Sequence, residues 1–108
     1  MLEAQPLWPA PLSAIDIPYA FGCDLMSDVL AFARPGSLLL TGLTHPQVIR
    51  TAELIDSCAI IFVRGKRPAP ETVELAKEKG IPLLVTPLIL YNSCGRLHAA
   101  GVPGGEAE

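Results

Sequence analysis

The chain has 108 residues, half of them hydrophobic, with a mean hydropathy of +0.40 and a formal net charge of −3 from 8 basic and 11 acidic side chains. That length suits one domain around one core, and the acidic balance excludes the broad basic face that wholesale nucleic-acid binding requires. No run approaches the roughly 18 apolar residues of a membrane-spanning helix, and Cys23, Cys58 and Cys94, odd in number and far apart, form neither a CxxC pair nor a disulfide framework.

Residues 1–14 carry Pro6, Pro9 and Pro11 around Trp8. Prolines so spaced remove ladder donors and prevent a helix, so this stretch reads as an extended arm with Trp8 pinned on the body or on a partner. Its opening lacks a basic region and a continuous apolar run, so no signal peptide is expected. Residues 15–21, IDIPYAF, read as a short edge strand, because Pro18 is tolerated only at an edge or an end. A first helix follows, with Asp24 as its N-cap, Asp28 near its favourable end and Leu25, Val29 and Phe32 at helical spacing. Arg34 lies in its last turn and Pro35-Gly36 stops it.

SLLLTG, residues 37–42, is a short apolar run bounded by breakers and reads as a strand buried on both faces. A second helix starts at Thr44 or His45, with Pro46 in the first turn, where its missing N–H costs nothing. Val48, Ile49, Ala52 and Ile55 form the inner stripe, Arg50 and Glu53 the outer one. CAIIFV, 58–63, is the next strand, and RGKRPAP is a polar loop. The third helix begins near Pro70 and ends at KEKG, with Lys77 and Lys79 in its last turns and Gly80 just beyond. IPLLVT, 81–86, is another strand. Thr86 or Pro87 opens a fourth helix that ends at Gly101, and the remaining VPGGEAE reads as a flexible tail.

Short unalternating strands separated by longer helices indicate an α/β domain with a small, mostly parallel sheet of three to four strands flanked by about four helices. The expected organisation is an arm over 1–14, one domain over 15–101 and a tail over 102–108. Cysteine usage points to a reducing cytoplasmic setting. The hydrophobic composition and the proline-rich arm point to a homodimer.

In such sheets ligands bind beyond the carboxyl ends of the strands, near a change in strand order. Thr41, Gly42, Thr44 and His45 fall there. Gly42 permits an unusual backbone or a close approach, and the hydroxyls and free N–H groups at the helix start can face an anion. The same residues also suit a plain capped turn. Arg64, Lys66 and Arg67 follow the next strand at the same edge and can hold phosphate or carboxylate, or simply form a solvated face. Thr86 ends the third strand at the same rim. The ligand-binding set expected from the sequence is therefore Thr41, Gly42, Thr44, His45, Arg64, Lys66 and Thr86. There is no GxxxxGK[ST] and no GxGxxG. His45 and His98 match no metal pattern, so neither a metal nor a cofactor is expected. No Ser-His-Asp, Cys-His or G-x-S-x-G arrangement is legible, so no catalytic residue is assigned. Trp8, Tyr19 and Tyr91 do not interleave with the basic cluster, which argues against a stacking platform for single strands.

Asp24-Leu25, Ser27-Asp28-Val29-Leu30, Thr41-Gly42, Val63-Arg64-Gly65, Gly80-Ile81-Pro82, Thr86 and Gly95-Arg96-Leu97, taken as a set over about residues 19–101, resemble a DRTGG domain. That family is similar to the amino-terminal α/β domain of HPr kinase/phosphorylase, without the kinase domain that carries the P-loop. Its members stand alone or beside CBS and phosphotransacetylase-like domains, and the stand-alone type accompanies iron-only hydrogenase or NADH-dehydrogenase-like components in bacteria. The resemblance implies a non-catalytic role, either regulatory, sensing a small anionic or phosphorylated metabolite, or in assembly with a redox-complex protein partner. In this chain the turn corresponding to the family's Asp-Arg-Thr-Gly-Gly reads Thr41-Gly42-Leu43-Thr44-His45-Pro46.

Overall fold

Unbroken apolar runs decide where the sheet lies. A computed structural model, which describes residues 2–106, places strands at Gln5–Trp8 (β1), Ala20–Gly22 (β2), Leu38–Thr41 (β3), Ala59–Phe62 (β4) and Leu83–Val85 (β5). The helices are Met26–Phe32 (α1), Gln47–Leu54 (α2), Pro70–Lys79 (α3) and Leu90–Ala99 (α4), with a short 3-10 turn at Leu12–Ala14. The result is an α/β fold with a five-stranded mixed sheet in the order β1-β5-β4-β3-β2. β2 to β5 are mutually parallel and β1 runs antiparallel to β5.

Both faces of the sheet are covered, which is why its strands do not alternate in sequence. Leu39, Ile60, Phe62, Leu83 and Val85 pack under α1, α2 and α3 together with Met26, Val29, Val48, Ile49, Ala52 and Ala76. Leu38, Leu40, Ala59, Ile61, Val63 and Leu84 face the other way, against Leu97 of α4 and Leu2 of the arm. α1, α2 and α3 lie side by side on the first face.

Five strands replace the expected three to four because the arm joins the sheet. Gln5 pairs with Val85 and Pro6 with Leu84, with a register shift before Trp8. An edge strand needs donors on one side only, so its prolines are tolerated. Trp8 is pinned as expected, its indole N–H donating to the Ile81 carbonyl at 2.8 Å. The strand expected over 15–21 forms later, at Ala20–Gly22, and the third strand shrinks to Leu83–Val85.

Helix starts also move. Leu25, not Asp24, occupies the cap position of α1, and no side chain caps it. The buried stripe is Met26, Val29 and Ala33, while Leu25 and Phe32, expected to face inward, are 59% and 51% exposed. α2 begins at Gln47, with Pro46 at its cap position, and its inner stripe of Val48, Ile49, Ala52 and Ile55 is buried as expected. α3 ends on Gly80 in the left-handed region, φ 71°, with Lys77 and Lys79 in the last turn. α4 starts only at Leu90, after a non-helical segment. The tail expected from 102 is hydrogen-bonded through its described part. Ala20 N–H donates to Pro103, Gly105 N–H to Ala20, and Arg34 N–H to Gly105. Residues 107–108 of that tail, and residue 1 of the arm, lie outside the described residues.

The register levels the carboxyl ends, since Thr41 pairs with Phe62 and Phe62 with Val85. After β2, β3 and β4 the chain turns to the α1–α3 face. After β5 it turns to the opposite face and α4. The outgoing segments of β4 and β5 therefore part company, which is the place where an open α/β sheet forms a crevice.

Candidate functional site

Thr41 is fully buried at the end of β3. Its hydroxyl accepts from the Leu43 N–H at 3.2 Å and donates to Asp24 Oδ1 at 2.9 Å. The Gly42 N–H donates to the same carboxylate oxygen at 2.7 Å. The Thr41 hydroxyl, one of the donors expected to meet an external anion, is thus engaged by the protein's own carboxylate. Asp24 reaches them because β2 lies beside β3 and the turn after β2 ends on the same edge. In sequence Asp24 reads as a helix cap, yet the rim logic that selects Thr41 and Thr86 applies equally to the turn after β2.

The cations after β4 do not form one patch. Arg64 Nη2 lies near Gly42, 3.6 Å from where a β-carbon on that glycine would sit. Arg67 points to the other side, its Nη2 donating to Gln5 Oε1 at 3.1 Å. Lys66 is exposed. The loop is stitched to the segment after β5, with the Arg64 N–H donating to the Leu88 carbonyl at 2.8 Å and the Gly65 N–H to Thr86 at 2.7 Å. Arg64 consequently adopts a left-handed backbone, φ 58°. Those two bonds close the crevice between β4 and β5 at its root.

Thr86 is also fully buried. Its hydroxyl donates to the Leu2 carbonyl and accepts from the Leu88 N–H at 3.3 Å. The arm therefore crosses the carboxyl end of β5. Between arm and loop a cavity of about 400 Å³ remains, lined by Glu3, Gln5, Gly65, Arg67, Val85, Thr86 and Pro87. That volume suits a small ligand. Glu3 and Gln5 lie outside the expected set because nothing in the arm's proline spacing signals that it joins the sheet, whereas Arg67 belongs to the cationic loop expected at this edge.

Thr44 and His45 stand apart from both places. The Thr44 carbonyl accepts from the buried Thr72 hydroxyl at 3.0 Å, fastening this turn to α3. His45 Nδ1 accepts from the Gln47 N–H at 3.1 Å, which makes it a cap for the start of α2. The structure thus gathers Thr41, Gly42 and Arg64 with Asp24, and places Thr86 with Gly65 and Arg67.

Among the described residues no group of His, Cys, Asp and Glu is arranged to hold a metal ion, and no helix is long and apolar enough to cross a membrane. The cysteines are free and half-buried. Burial pushes the Cys58 and Cys94 thiols up, with the negative charge of Asp16 adding to the rise at Cys58 and a backbone hydrogen bond opposing it. No protein-family model matches the chain, and no curated protein matches it.

Proposed function

We propose that this chain is a non-catalytic, regulatory domain that binds a small anionic or phosphorylated metabolite at the carboxyl edge of its sheet. The observation that carries the reading is the cavity of about 400 Å³ between the arm and the loop after β4, at the carboxyl end of β5. Arg67 offers a planar fork of donors there, only one of which is used by Gln5. Gly65 contributes a rim without a side chain, and the charge of Glu3, which also lines the cavity, is answered by Arg96 at 3.6 Å. Arg64 belongs to the opposite side of the same loop. The reading keeps the resemblance to DRTGG domains, carried by the sequence set from Asp24-Leu25 to Gly95-Arg96-Leu97, together with a cytoplasmic setting. Thermal scanning against nucleotides, phosphorylated metabolites and small carboxylates tests it. Binding of one class raises the melting temperature, and flat curves across the panel at millimolar concentration refute it.

A second reading, an interaction or assembly protein of a hydrogenase-like or NADH-dehydrogenase-like redox complex, is favoured by exposed apolar side chains. Leu25, Leu30 and Phe32 project from α1 and its start, and Tyr91 on α4 is 83% exposed beside a shallow hollow. A partner protein, or a second copy in the expected homodimer, would cover such groups. Recovery of the chain as a monomer without a stable partner from native cells opposes this reading.

A further inference from the structure

The notch over Gly42 holds two opposite charges that do not meet. Asp24 Oδ1 receives the Thr41 hydroxyl at 2.9 Å and the Gly42 N–H at 2.7 Å, so the carboxylate is fixed against the strand end. A β-carbon on Gly42 would lie 3.5 Å from Asp24 Oδ2 and 3.6 Å from Arg64 Nη2. Both groups therefore face the same bare α-carbon, yet Asp24 and Arg64 are not joined as an ion pair, unlike Glu74–Lys77, Glu53–Lys79 and Glu3–Arg96. Gly42 itself is buried, while Asp24 and Arg64 are exposed.

Nothing in the fold asks for glycine at this place. Gly42 is absent from the left-handed glycines, Gly36, Gly65, Gly80 and Gly101. An added methyl group would make only ordinary contacts. The missing side chain leaves the position of its β-carbon open, within 3.5 Å of Oδ2 and 3.6 Å of Nη2. The Arg64 backbone at this edge is left-handed, φ 58°, and is held by its own N–H bonded to Leu88 and that of Gly65 to Thr86.

A simple anion is poorly suited to this notch, because the Asp24 carboxylate repels it. A simple cation meets the guanidinium. A ligand carrying both signs on neighbouring atoms satisfies both walls at once. We propose that the notch formed by Asp24, Gly42 and Arg64 binds the ammonium–carboxylate head of a free α-amino acid, the ammonium donating to Asp24 Oδ2 and the carboxylate accepting from Arg64. This place is distinct from the Arg67 cavity and does not depend on an anion binding there.

The test is an NMR titration of the isotope-labelled full chain with pools of free α-amino acids, and with the same compounds N-acetylated or amidated. At least one pool is expected to shift the Gly42 and Leu43 amide signals, with N-acetylation and amidation each weakening the effect by about tenfold or more, as loss of one charge-assisted contact implies. Asp24→Asn retains an oxygen acceptor for Thr41 and Gly42, so it keeps the fold while weakening amino-acid binding to a similar degree; Arg64→Gln, at an exposed position, supplies an independent variant. Phosphate binding at the Arg67 cavity is unchanged in Asp24→Asn, so failure of one reading is separable from failure of the other. The proposal is overturned if no pool shifts Gly42, or if N-acetylated compounds act as strongly as the free amino acids.

Discussion

The Thr41 hydroxyl donates to the Asp24 carboxylate at 2.9 Å, tying the end of β3 to the turn that precedes α1. Asp24→Ala leaves the buried Thr41 hydroxyl and Gly42 N–H without their acceptor, and a loss of about 1–3 kcal/mol is expected. Asp24→Asn, which keeps an acceptor, should lose less than half of that. Urea denaturation with an unchanged slope measures both.

At the other end of the same edge, Thr86 holds the arm through the Leu2 carbonyl. Thr86→Val keeps the shape and removes the donor, so a destabilisation of about 1–2 kcal/mol is expected. The arm should loosen with it. Hydrogen exchange at Leu7 and Trp8 should quicken relative to Ile60 and Ile61 in the sheet centre, whereas uniform protection would show that the arm is held without this bond.

Two glycines should behave oppositely. Gly80 ends α3 with φ 71°, so Gly80→Ala should cost about 1 kcal/mol through left-handed strain alone. Gly42 has neither a left-handed backbone nor a close neighbour for an added methyl group. Gly42→Ala should therefore change stability by less than about 1 kcal/mol, while narrowing the notch between Asp24 and Arg64. Paired thermal melts of the two variants provide the comparison.

Burial raises the Cys58 and Cys94 thiols above the ordinary value of 9.0. Both stay protonated at neutral pH, so their alkylation by iodoacetamide in the folded protein should be slower than in the urea-unfolded chain. Above pH 9.0 the unfolded chain loses these protons more readily than the folded one. Their contribution to stability is thus full below that pH and is lost as pH rises through the folded values. Replacing both with alanine should flatten the alkaline fall in melting temperature.

Much of the fold was readable from particular residues. LLLT, AIIF and LLV are short, apolar and bounded by breakers, and the Val48, Ile49, Ala52, Ile55 stripe and the Gly80 stop of α3 are local signals. β1 escaped because proline chemistry forbids a central strand but not an edge strand, and edge pairing is decided by a partner 80 residues away in sequence, as Gln5 and Val85 show. Phe32 and Leu25 satisfy a helical spacing equally well with Met26 and Ala33, so the buried face of α1 was ambiguous. The site was legible as an edge but not as a set of contacts. Asp24 takes the donors of Thr41 and Gly42, and the loop after β4 sends Arg64 and Arg67 in opposite directions, outcomes that depend on backbone bonds to Leu88 and Thr86.

The most direct test of the ligand-binding account is a titration of the labelled chain with inorganic phosphate, comparing wild type with Arg67→Gln. The account predicts saturable shifts centred on Gly65 and Thr86, weakened about tenfold or more in the variant. The absence of saturable shifts in the wild type, or equal binding by Arg67→Gln, would contradict it.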